Sequence, residues 1–244
     1  MKVKKGYPSA LSNAKQVTTL DIASVIGNCQ VVSFLLKQDC LRVGESIEPL
    51  IYSLKAGQAG IARLLIENGA DLWSDTAGPA LRIAVQAGLP DIVRLLIDEK
   101  KQDPNRYYKG YAALHEAIIS AKKLDDEDRT LATIATLLER GAQIDMTTQT
   151  GDHRVGPHQN RPLTLACGDG LFNIAASLLR KGAYPSMKTI TDPKAALASL
   201  QECCKFNCGD NGAVVDFVTE LIRRRAIPGL AQPVTDPDII IPCS

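Results

Sequence analysis

The chain has 244 residues, is 45% hydrophobic and 23% charged, and carries a formal net charge of +1. That is the composition of a folded chain, long enough for one large domain or a short repeat array. It lacks the basic excess of a nucleic-acid reader, and no apolar run approaches the length of a membrane span.

Residues 1–17, which include MKVKKGYPSALSNAK, are basic but have no apolar core behind them, so they do not read as a secretory signal. They read as a lead-in with a turn at Gly6-Tyr7-Pro8. The first helix pair is expected in TTLDIASVIGNCQVVSFLLKQDC (18–40). Apart from Asp21 and Lys37 its helices are uncharged, whereas a terminal unit of an array normally needs a polar outer face. Either the lead-in folds over it or the chain continues upstream.

The stretch EPLIYSLKAGQAGIARLLIENGAD (48–71) is the template for the rest. Glu48-Pro49-Leu50 starts a helix, because proline's missing N–H costs nothing in a first turn. That helix is expected to end at Gly57. A second runs from about Ile61 to Glu67, with Ile61, Leu64 and Leu65 on one face. Gly69 stands where a left-handed cap ends it. PALRIAVQAGLPDIVRLLIDEKK (79–101) repeats the pattern. AALHEAIISA (112–121) and TIATLLERGAQID (133–145) are the halves of a fourth copy, and RPLTLACGDGLFNIAASLLRKGA (161–183) is a fifth. A weaker sixth pair spans 192–226, with Leu197 in its first helix and Val214, Phe217, Val218, Leu221 and Ile222 in its second. Residues 227–244, with four prolines, read as a tail.

Leu20, Leu50, Leu81 and Leu163 each precede their closing position by 19 residues. In the fourth copy Leu114 precedes Gly141 by 27, so about eight residues, 122–129, are inserted between its helices. Gly141 to Leu163 is 22 residues, a long connection of the kind that often carries function.

This register resembles the ankyrin repeat, a unit of about 33 residues with a T-P-L-H-x-A opening and two antiparallel helices. The resemblance implies an all-α solenoid of about six helix-turn-helix repeats, near 18–47, 48–78, 79–111, 112–160, 161–191 and 192–226. It also implies finger loops between repeats and a non-catalytic scaffold or adaptor that binds an intracellular protein or peptide, with no cofactor, metal, nucleic acid or membrane. Contacts in the family come from the finger tips and the solvent-facing side of the first helices. Carried onto this chain, these are Trp73, Ala77, Tyr108, Lys109, Tyr111, His158 and Asn160, with Lys55, Gln86, Ile119, Ser120 and Asp169 on the helices. Tyr107 joins them because Trp73, Tyr107, Tyr108 and Tyr111 fall in two adjacent fingers of a chain with one Trp and six Tyr, and aromatic residues dominate binding hot spots.

Other side chains have reactive chemistry in a bland setting. His115 and Glu116 have acid–base composition, but His115 occupies the T-P-L-H histidine position, where the family's histidine bonds backbone. Asp152, His153 and His158 match no metal-ligand spacing. Cys203, Cys204 and Cys208 are short of a fourth ligand unless Cys243 supplies it. Gly168-Asp169-Gly170 lacks the Gly-Lys-Ser/Thr that makes a phosphate loop. No residue is assigned as catalytic. Seven irregularly spaced cysteines point to a reducing compartment, with Cys29 and Cys167 filling helical units as small apolar residues. The alternatives are an enzyme with its site in the concave groove beside the enlarged fourth repeat, where His115, Glu116, Asp169, His153 and His158 could converge, and a targeting array of a larger parent protein.

Overall fold

The structure, a computed structural model, describes residues 18–37, 48–74, 78–124, 126–149 and 161–183. Contacts divide the chain into two units, Met1–Ala142 and Gln143–Ser244. The expected sixth pair, the tail, the lead-in and the long finger with His153, His158 and Asn160 lie outside the described residues.

The described part of the first unit is four helix pairs: α1 Thr19–Ile26 with α2 Cys29–Leu36, α3 Glu48–Lys55 with α4 Ala59–Glu67, α5 Ala80–Gln86 with α6 Pro90–Asp98, and α7 Ala113–Leu124 with α8 Glu127–Glu139. Local chemistry sets their ends. Thr18 and Asp21 form a reciprocal cap: Asp21 N donates to Thr18 Oγ1 at 3.1 Å and Thr18 N to Asp21 Oδ2 at 2.8 Å. Asn28 caps α2 through Val31 N, Pro90 opens α6, and Asp126 caps α8 through Arg129 N. Gly69 takes φ +83°, as a left-handed cap requires.

The pairs stack in register. The first helices pack consecutively, α1 on α3, α3 on α5 and α5 on α7, and the second helices form a parallel layer, α2 on α4, α4 on α6 and α6 on α8. The recurrent leucines Leu20, Leu50, Leu81 and Leu114 are all buried, as are Ile61, Leu65, Ile92, Leu96, Ile134 and Leu137 of the second helices. Each such side chain contributes about 1.5–3 kcal/mol by leaving water, and no single pair can bury its apolar face without a neighbour.

Two details differ from the reading of the sequence. The insertion of the fourth repeat is not a loop between helices of ordinary length. It lengthens both: α7 has 12 residues and α8 has 13, against eight and nine in α3 and α4. Arg129 then folds back, donating through Nε to Gly88 O at 3.2 Å and through Nη2 to Ala87 O at 2.9 Å, which ties the insertion to the turn after α5. Cys29, expected to fill a helical unit as a small apolar residue, is the first residue of α2 and is exposed. The apolar character of the first pair reaches its surface, where Ile26, Val31 and Phe34 are 65%, 36% and 61% exposed.

The described helices of the second unit are α9 Pro162–Gly168 and α10 Phe172–Arg180, packed on each other with Leu163, Ala166, Ile174, Leu178 and Leu179 buried. Asp169 caps the end of α9 and is half-buried.

Candidate functional site

Two fingers of the first unit form the most developed surface feature among the described residues. In the first, Asp71 Oδ1 accepts from Trp73 N at 3.0 Å and turns the chain. Trp73–Ser74 (β1) then pairs antiparallel with Gly78–Pro79 (β2), Trp73 opposite Pro79, and Ala80 N returns to Leu72 O at 2.8 Å. In the second finger Asp103 Oδ1 accepts from Asn105 N at 2.8 Å. Lys109 and Gly110 both take positive φ, and Tyr108 and Tyr111 exchange backbone hydrogen bonds of 2.9 and 3.1 Å across the tip. Both stems are tight, so they hold their side chains in fixed positions.

Stacking of the repeats brings these stems side by side. The Trp73 and Tyr108 rings meet edge to face, 5.9 Å between centroids at 82°. The Arg106 guanidinium carbon sits 4.7 Å from the centre of the Trp73 ring; the corresponding distances to Tyr108 are 5.1 Å for Arg82 and 5.3 Å for Lys109 Nζ. The tip of Tyr108 rests against Gly78, and its buried hydroxyl has no hydrogen-bond partner among the described residues.

Beneath the rings, Glu116 is 4% exposed. Its Oε1 accepts from Arg82 Nε at 2.6 Å and its Oε2 from Gln86 Nε2 at 2.7 Å, both across the α5–α7 contact. Gln102 Oε1 accepts from Leu81 N at 3.1 Å at the start of α5. His115 is fully buried, and its Nδ1 accepts from Ala112 N at 3.2 Å. The two residues that carry the acid–base alternative are therefore both held inside the α7 interface. A cavity of about 320 Å³ opens between the fingers, lined by Trp73, Arg82, Arg106, Tyr108, Tyr111 and Glu116 among others.

Of the residues expected to make contacts, Trp73, Tyr108 and Tyr111 are gathered at this cavity. Trp73 remains 38% exposed, Lys109 is exposed, and Tyr107 and Ile119 are half-buried. Ser120 is not presented to solvent: it is 5% exposed and its Oγ donates back to Glu116 O at 2.6 Å. Gln86 is likewise occupied by Glu116, while Lys55 is exposed. Asp169 belongs to the second unit, and Ala77, His158 and Asn160 lie outside the described residues. Arg82, Arg106 and Gly78 were not singled out from the sequence. The available signal was register, since Leu81-Arg82-Ile83-Ala84 aligns with Leu114-His115-Glu116-Ala117.

No family model matches the chain. An ankyrin repeat and KH domain-containing protein of Caenorhabditis briggsae is 32% identical to it over 136 residues, which is 53% of this chain and 5% of that protein. The chain thus spans a small fraction of that relative's length. The crystal structure of the ankyrin repeat domain of Bcl-3, described as a unique member of the IkappaB protein family, superposes with a TM-score of 0.56 at 23% identity, covering 85% of this chain and 86% of that one. The array has the ankyrin repeat fold. His115 is buried near the start of α7, and Arg82 stands at the corresponding position of α5, each the third residue of its helix. From that position on α5 Arg82 supplies the cation that neutralises Glu116 of α7. No helix among the described residues is long and apolar enough to cross a membrane, and no group of three or more His, Cys, Asp or Glu residues there is placed to hold a metal ion.

Proposed function

We propose that this ankyrin repeat array is a non-catalytic protein-interaction module, a scaffold or adaptor, that holds an intracellular protein or peptide partner on its fingers and first-helix face around the third and fourth repeats. The observation that carries the reading is the position of Trp73: partly exposed, in edge-to-face contact with Tyr108 and covered by Arg106, beside a preformed cavity. A large ring already held in place loses little conformational entropy when it is covered, and Trp, Tyr and Arg are the residues enriched at the energetic centre of interfaces. The fold likeness supports the same reading through its class. Tyr107, Lys109, Tyr111 and Ile119 extend the surface around Trp73; His158, Asn160 and Asp169 remain part of the proposed contact set through the ankyrin register alone. The exposed Cys29 thiol suits a reducing compartment.

The test is quantitative affinity capture with the wild-type chain and with Trp73→Ala/Tyr107→Ala. Tyr108 is left intact because it packs between the fingers. Proteins bound by the wild type and lost from the double variant are the expected result. Capture of every partner at unchanged yield would remove the fingers from the contact surface.

A further inference from the structure

Arg106 and Lys109 differ from the other cations of the fingers. Arg82 is ion-paired with Glu116 at 2.6 Å, and Lys101 Nζ donates to the Asp98 carbonyl at 2.6 Å. Arg106 and Lys109 are exposed, have no ion-pair partner among the described residues, and are held instead over the Trp73 and Tyr108 rings. A guanidinium held over an indole ring keeps N–H donors available, and a guanidinium can take a carboxylate in two parallel hydrogen bonds. The side-chain entropy usually lost when an arginine binds is already spent in the free protein.

From this we infer that the segment held at the fingers is an extended stretch of a partner protein bearing Asp or Glu, with a carboxylate seated on Arg106 beside the Trp73–Tyr108 cavity and Lys109 adding positive charge at the neighbouring ring. The inference rests on the interaction reading above and adds the partner's chemistry. The three carboxylates lining the cavity are each engaged: Asp71 by Trp73 N, Asp103 by Asn105 N, and Glu116 by Arg82 and Gln86. A peptide can bring a single carboxylate to Arg106, which has no ion-pair partner among the described residues, and keep clear of them. A nucleic-acid strand would carry a phosphate at every residue past all three, and the ring faces it would stack on already hold Arg106, Arg82 and Lys109. The near-zero net charge of the whole chain also supplies no general attraction for a polyanion.

Trp73 is the only Trp in the chain, so its emission reports on this site alone. The full chain is titrated with a synthetic oligoglutamate peptide, with oligoglutamine of equal length, and with a single-stranded oligonucleotide. Anisotropy of a dye on each probe gives a second reading that does not depend on Trp73. The expected result is a saturable, salt-sensitive response to oligoglutamate only, weakened about tenfold by Arg106→Gln and unchanged by Arg94→Gln, whose guanidinium lies beside Asp91 on α6. No response to oligoglutamate, an equal response to the oligonucleotide, or no effect of Arg106→Gln would overturn the inference. If captured proteins are lost from the Trp73→Ala/Tyr107→Ala variant while oligoglutamate does not bind, the interaction reading stands and the acidic partner does not. If oligoglutamate binds while every captured protein is retained, the finger surface for proteins falls and the acidic-partner inference that rests on it falls with it.

Discussion

Gly78 and Tyr108 share one space: a β-carbon on Gly78 would come within 2.6 Å of Tyr108 Cζ and within 2.8 Å of both neighbouring ring carbons. The second finger can lie against the first only because residue 78 has no side chain. Gly78 also has φ +80°, a conformation other L-residues adopt at a cost of about 1–2 kcal/mol. With the added overlap, Gly78→Ala is expected to destabilise the array by about 2–4 kcal/mol. Urea unfolding measures it. Tyr108→Ala in the Gly78→Ala background should recover the overlap component but not the backbone one, so the two changes should be clearly non-additive.

Glu116 bridges the third and fourth repeats from a position 4% exposed, with Arg82 on one oxygen and Gln86 on the other. Removing it leaves the half-buried Arg82 without its carboxylate. Glu116→Ala is expected to cost about 2–3 kcal/mol, below the value for a fully buried pair because Arg82 keeps some access to water. Arg82→Met, which retains the packed stem, should cost more than any exposed-pair change such as Arg63→Met. Denaturant midpoints of the three variants decide the order.

Arg129 ties the lengthened α7–α8 connection to two carbonyls at the end of α5. Arg129→Ala should cost about 1 kcal/mol, since the side chain is partly exposed. The loss should concentrate locally, as faster amide hydrogen exchange at the ends of α5 and α7 and the start of α8, with α1 to α4 unchanged.

Tyr52 gives the array a dependence on alkaline pH. Its ring is buried and its hydroxyl donates to Glu48 Oε2 at 3.2 Å. Burial, and then the charge of Glu48, push the phenol up to about 12 from its ordinary 10.0. The fold therefore favours the neutral ring. That contribution is complete below pH 10 and is lost as pH rises through 12. Stability should fall over this window, and Tyr52→Phe should fall less than the wild type in parallel urea titrations.

The helix pairs were legible because their signals are local. Leu20, Leu50 and Leu81 recur at one distance from their closing residues, and Gly69 and Pro90 punctuate the chain where a cap or a first turn needs them. The insertion after Ala121 was visible as a count, but not its form: whether eight extra residues make a loop or extend two helices depends on whether the added turns find something to pack on, and Arg129 finding the α5 carbonyls is a contact 41 or 42 residues away. Cys29 misled because its helical setting says nothing about which face of α2 the array leaves open. Ser120 misled for the opposite reason, since its position on α7 is buried and its hydroxyl is turned back on its own helix, donating to Glu116 O.

The amino-acid sequence by itself determined that this chain makes paired helices joined by fingers, because helical periodicity, capping and turn chemistry act within about a dozen residues. It also placed Trp73 and three tyrosines in neighbouring fingers. Only tertiary structure decided that Trp73 touches Tyr108, that Arg106 and Lys109 lie over their rings, and that Glu116 is neutralised by Arg82 from 34 residues away. Those contacts cross from one repeat to the next. Their geometry is set by how closely α5 and α7 stack, and that spacing is fixed by the packing of whole faces rather than by any short stretch of chain.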